Sequence, residues 1–176
     1  MTGPITSGSG NMGEDLYRND PADIFMWRRM DDRVTTSGQP SEAQIAAIKA
    51  LGVTHVVNLG LHSHEKALPD EAGTVGALGM TYIHIPVAFD APAEADFAQF
   101  AATMRDFEGE SIHIHCIANF RVSAFLYRYQ RDVLHITEQD ARRQMEGIWR
   151  PGGVWAGFIG DEQRVESPHF YAGRDY

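Results

Sequence analysis

The chain has 176 residues, 43% hydrophobic and 22% charged, which is material for one sizeable core and too little for two. Asp and Glu outnumber Lys and Arg by 24 to 15, and the formal net charge of -9 argues against nonspecific attraction to nucleic acid or an anionic membrane surface. No apolar stretch is long enough to span a bilayer and the first eleven residues lack the pattern of a secretory signal, so a soluble cytoplasmic protein is expected.

Residues 1–20 start Gly/Ser-rich and read as a flexible leader, and 21–176 as a single domain with an aromatic C-terminal tail. Ile24 to Met30 carries apolar residues without a clear period, and Arg33 to Thr36 reads as a short edge strand. Ser41, after Pro40 and three residues before Gln44, has the pattern of a capping box opening a helix that stops at Gly52. Thr54 to Leu59 is a buried strand, and Asp70 caps a short helix through Leu78. A strand over Thr81 to Val87 precedes a helix opened by Pro92 and running to about Asp106. Ser111 to His115 is the last strand, followed by helices over Arg121 to Arg131 and from Thr137 or Glu138 to Trp149. The tail from Pro151 is expected to pack back through Trp155 and Phe158.

Alternating strands and helices predict a three-layer α/β/α domain with a mostly parallel central sheet. Such sheets bind ligands at the carboxyl ends of their strands. That places Thr36 to Pro40, Gly60 to Pro69, Ala88 to Pro92 and Cys116 to Arg121 at one edge.

Cys116 is the lone cysteine, which excludes an internal disulfide and a multi-cysteine zinc site. His115-Cys116-Ile117-Ala118-Asn119-Phe120-Arg121 runs from a strand end to a helix start, a layout built for anions. Successive backbone N–H groups curl around one centre and the positive end of the helix dipole points into it. The same field favours a thiolate at Cys116, and Arg121 can grip a tetrahedral oxyanion with paired donors.

This stretch resembles the active-site loop of the cysteine-dependent protein tyrosine and dual-specificity phosphatases, and the wider pattern is closer to the bacterial beta-lactamase-hydrolase-like branch of that superfamily. The resemblance covers about Arg33 to Arg131, most specifically Gly38-Gln39-Pro40 and His115 to Ser123. It implies a dual-specificity-phosphatase-like fold, Cys116 as a nucleophile forming a phosphocysteine, Arg121 binding phosphate, and His115 orienting the loop. A general acid on the loop before the nucleophile strand is also implied, and Asp90 stands there, although an Asx turn ahead of a proline-started helix explains Asp90 equally well.

Three departures from the phosphatase pattern matter. Cys116 and Arg121 enclose four residues where the family has five, Asn119 replaces the usual glycine, and Val122 replaces the hydroxyl residue after Arg, with Ser123 one place later. Asn is the residue that most readily substitutes for glycine in a left-handed conformation. The four-residue spacing resembles rhodanese-type sulfurtransferases, whose smaller cradle holds a persulfide. Three readings follow: a phosphatase acting on a phosphorylated small molecule or phosphoprotein, a sulfurtransferase or persulfide carrier, and an inactive phosphate-binding module.

His113 and His115 share a strand face beside Cys116, and His62 and His64 form a second His-x-His. Those types suit zinc. A strand buried between helices more commonly uses its histidines in hydrogen bonds, so no metal and no cofactor is expected. Oligomeric state is unassigned.

Overall fold

The computed structural model describes residues 19–168, so residues 1–18 of the expected leader and the last eight residues of the tail lie outside the described residues. A five-stranded sheet has the order β1-β2-β5-β3-β4, formed by β1 (Arg28–Arg29), β2 (Val34–Ser37), β3 (His55–Asn58), β4 (Thr81–His84) and β5 (Ile112–His115). All neighbours are parallel except β1, which runs antiparallel to β2. The expected edge strand is therefore interior. The two arginines of β1 carry no apolar period and give no strand signal in the sequence.

Among the described residues six α-helices flank the sheet: α1 (Glu42–Ala50), α2 (Glu71–Ala77), α3 (Glu94–Asp106), α4 (Phe120–Arg128), α5 (Glu138–Glu146) and α6 (Gly153–Ile159). The capping box at Ser41 is complete: its hydroxyl accepts from Gln44 N–H, and the Gln44 side chain accepts from Ser41 N–H. Asp70 caps α2 by accepting from Gly73 N–H at 2.9 Å. The helix expected to run to Arg131 ends as α at Arg128 and continues through a π-turn over Tyr129–Val133. None of the helices among the described residues is long and apolar enough to cross a membrane.

The sheet is buried on both faces, and strand alternation sorts its side chains. Val57, Ile112 and Ile114 join one core with Phe97, Phe100, Phe125 and Trp155 from α3, α4 and α6. Val56 joins the other with Ile45 and Ile48 of α1 and Val75 of α2. Period two therefore sends His113 and His115 to the α1/α2 side, between Ile112 and Ile114 that face the larger core.

Candidate active site

Register sets the site. Ser37, His115, Asn58 and His84 are paired in one row at the carboxyl end of β2, β5, β3 and β4. The segments after all four strands leave from that row, and the Cys116 loop leaves from its middle because β5 lies between β2 and β3.

Cys116 and Arg121 are 0% exposed, and Ile117, Ala118, Asn119 and Phe120 between them are also buried. Asn119 adopts the left-handed conformation, φ 65°, and turns the chain into α4 at Phe120. Its side-chain amide donates to Met26 O at 2.8 Å and Thr36 Oγ1 at 2.9 Å, bonds a glycine could not make. The N–H groups of Ile117, Ala118 and Asn119 donate to no protein acceptor among the described residues. Three consecutive undonated N–H groups ahead of a helix N-terminus suit an anion.

Gly38 packs against this loop. Gln39 N–H donates to Ile117 O at 3.0 Å, and Gly38 N–H to Phe25 O at 2.8 Å. A Cβ at Gly38 would stand 2.6 Å from Ile117 O, so only glycine permits this approach.

Arg121 is held at one end, its Nε–H donating to Val87 O at 2.8 Å, with its guanidinium carbon 5.0 Å from the Phe89 ring centroid. Val87 and Phe89 lead directly into the turn bearing Asp90, which is exposed. Asp90 therefore follows a segment that touches Arg121. Helix α3 begins at Glu94, two residues after Pro92. The Ser123 hydroxyl donates to Phe120 O at 2.9 Å and accepts from Trp149 Nε1–H at 2.9 Å, while Val122 is fully buried.

The histidines behind the loop are engaged by protein groups. Ser37 Oγ donates to Gly38 O at 2.6 Å, so it accepts from His113 Nε2–H, leaving Nδ1 to accept from Thr35 Oγ1 at 2.9 Å. Burial, and then the charge of His115, hold the His113 pKa well below the ordinary imidazole range. His115 Nδ1–H donates to Cys116 O at 3.2 Å, and its Nε2 meets a carboxylate oxygen of Glu71 on α2. Burial alone would raise the Glu71 carboxyl; the charge of His115 and hydrogen bonds from His115 and Gln39 outweigh it and hold the group below the ordinary carboxylate range.

Glu71 is 3% exposed, and sequence reasoning missed it. The only local sign was an acidic residue beside a helix cap, which occurs at most helix starts. Its other carboxylate oxygen accepts from Gln39 Nε2 at 3.3 Å and Asn58 Nδ2 at 3.4 Å. Asn58 also donates to Tyr82 Oη at 3.0 Å, and His62 Nε2 contacts the same hydroxyl at 2.9 Å. His62 stacks on His84 with ring centroids 3.7 Å apart, and the His64 ring nitrogen accepts from Lys66 N–H. Among the described residues no group of three or more His, Cys, Asp or Glu side chains is arranged to hold a metal ion.

Arg128 pairs with Glu94 at 2.6 Å and lies over the Phe97 and Phe158 rings. Arg131 pairs with Asp132.

A sequence-family profile described as "PTP-NADK: DSP-PTPase phosphatase fused to NAD+ Kinase" matches residues 17–154. The beta-lactamase hydrolase-like protein of Agrobacterium fabrum is 33% identical over 91 residues, 50% of this chain and 21% of its own. The chain thus spans about a fifth of the length of that curated relative. A solved DUF442 protein from Shewanella putrefaciens CN-32 is 28% identical, with TM-score 0.71 over 84% of this chain and 94% of its own. TpbA of P. aeruginosa, solved in complex with phosphotyrosine, is 18% identical with TM-score 0.57, covering 81% of this chain and 83% of its own, a likeness of fold. With a profile matching most of its length, and a cysteine loop at the carboxyl edge of a mostly parallel sheet, the chain belongs to the dual-specificity-type phosphatase family that this profile describes.

Proposed function

We propose that residues 21–176 act as one phosphatase domain that hydrolyses phosphate monoesters through a Cys116 phosphoenzyme. The observation that carries this reading is the loop itself: a buried thiol at the end of β5, undonated N–H groups at Ile117, Ala118 and Asn119, and a buried Arg121 at the start of α4. In the first step Cys116 Sγ attacks phosphorus, the bond to the leaving oxygen breaks, and Asp90 gives that oxygen its proton. Loop N–H groups and the Arg121 guanidinium take the charge on the equatorial oxygens. Water then attacks phosphorus, Asp90 accepts its proton, and the S–P bond breaks to release orthophosphate and thiolate. The substrate would be a phosphorylated small molecule or phosphoprotein; the phosphotyrosine held by TpbA supports this class.

The second half-reaction is where this chain departs from the general phosphatase pattern. Val122 offers no hydroxyl to the leaving thiolate, and the Ser123 hydroxyl is committed to Phe120 O and Trp149. Phosphocysteine should therefore break down slowly. A sulfurtransferase reading rests on the four-residue spacing alone and predicts thiocyanate release from thiosulfate and cyanide.

The test is phosphate release from a generic aryl phosphate, wild type against Cys116→Ser. Saturable turnover abolished by the substitution supports the reading. Equal release by both proteins would sink it.

A further inference from the structure

We propose that Glu71 is a positioning residue for the Cys116 loop, holding His115 as a doubly protonated imidazolium whose Nδ1–H fixes the Cys116 carbonyl. The argument starts from donor and acceptor types. His115 Nδ1 faces the Cys116 carbonyl, which can only accept, so Nδ1 carries a proton. Nε2 faces a Glu71 oxygen, and an ionised carboxylate likewise only accepts, so Nε2 carries one too. Glu71 and His115 are both buried, and a buried charge of either sign survives only beside its counter-charge. Each therefore fixes the state of the other.

The carboxylate also reaches beyond His115. Through Gln39 it holds the segment after β2, through Asn58 the last residue of β3, and through His115 the last residue of β5. Asn58 in turn accepts from Gly60 N–H at 2.7 Å, fixing the start of the loop after β3. One side chain on α2 thus ties three adjacent strand ends around the nucleophile. Gln39 also reaches the Cys116 loop directly, its own N–H donating to Ile117 O. A glutamine at position 71 would still accept from His115, but its NH2 group would face the NH2 groups of Gln39 and Asn58, and the charge holding the imidazolium would be gone. Loop posture, not substrate affinity at a distance, is what the substitution should disturb.

The proposal rests on the phosphatase reading only for its kinetic arm. Long-range nitrogen–proton NMR of the wild-type protein at pH 6 should show both His115 nitrogens protonated; a single protonated nitrogen overturns the proposal whether or not any variant folds. For Glu71→Gln, the spectrum should change to a neutral ring, and kcat on an aryl phosphate should fall about ten-fold with KM within about two-fold. A folded Glu71→Gln protein with wild-type kcat, or with an unchanged His115 spectrum, also overturns it. If wild type itself turns over no aryl phosphate, the phosphatase reading fails and the two spectra still decide the role of Glu71.

Discussion

Trp155 Nε1–H donates to the carbonyl of Phe89 at 2.7 Å, fastening the segment ahead of Asp90 to α6. Phe89 also lies under the Arg121 guanidinium, so one residue joins α6, the Asp90 turn and Arg121. Trp155 is fully buried, and its indole fills space as well as donating.

Trp155→Phe keeps much of the ring but leaves the Phe89 carbonyl without this donor. It should destabilise the protein by about 1–3 kcal/mol in urea unfolding. It should also lower kcat more than it changes KM, because the Asp90 turn loses its tether. An unchanged kcat would show that α6 does not position that turn.

Gly38→Ala tests the close approach of β2's extension to the loop. The added methyl would stand 2.6 Å from Ile117 O and 2.8 Å from Phe25 Cδ1. Phe25 is exposed and its ring can move aside; the Ile117 carbonyl belongs to the Cys116 loop and can move only by distorting it. A destabilisation of about 1–3 kcal/mol is expected, together with loss of turnover. Wild-type stability and turnover would mean that the loop tolerates the displacement.

Asn119 supplies both a left-handed turn and two side-chain bonds. Asn119→Gly keeps the turn and loses the bonds; Asn119→Ala loses the bonds and adds left-handed strain of about 1–2 kcal/mol. Thermal unfolding should therefore rank wild type above Asn119→Gly, and Asn119→Ala last. An alanine variant as stable as the glycine variant would mean that the turn relaxes out of its left-handed form.

Two buried groups separate the pH dependence into two ranges. His113 has a lowered pKa in the folded state, so the unfolded chain binds a proton that the native chain does not as pH falls below about 6.5. This group alone should lower stability across that range by up to about 1.4 kcal/mol per pH unit, and His113→Gln should reduce the slope whatever its own stability. Glu71 has a lowered pKa, so its contribution is present above the ordinary carboxylate range and is lost as pH falls through its folded value. The stability difference between wild type and Glu71→Gln should shrink below about pH 4. Chemical unfolding at pH 7, 5.5 and 3.5 checks both.

What could be read in the chain was what neighbouring residues decide among themselves. The Ser41–Gln44 capping box lies within one turn of helix, and the Ile-His-Ile-His alternation of β5 is a property of four adjacent residues. The Cys116 to Arg121 loop reads as an anion cradle because strand end, turn and helix start are consecutive, and its αL residue was legible in Asn119. Helix ends were less legible, as the π-turn after Arg128 shows, because competing turns differ little in energy. β1 escaped notice because two arginines carry no period and gain strand geometry only by pairing with β2. Glu71 and His115 lie 44 residues apart, and Trp155 and Phe89 66. Neither pair leaves a local mark in the sequence. The first arises from the order β2-β5-β3 together with the alternation that turns His115 toward α2, the second from α6 packing on the segment after β4. Sequence alone determined which residues could carry the chemistry. Tertiary structure decided which distant charge stands behind Cys116, because a buried ion pair is chosen by the packing of strands and helices across the chain, and not by spacing along it.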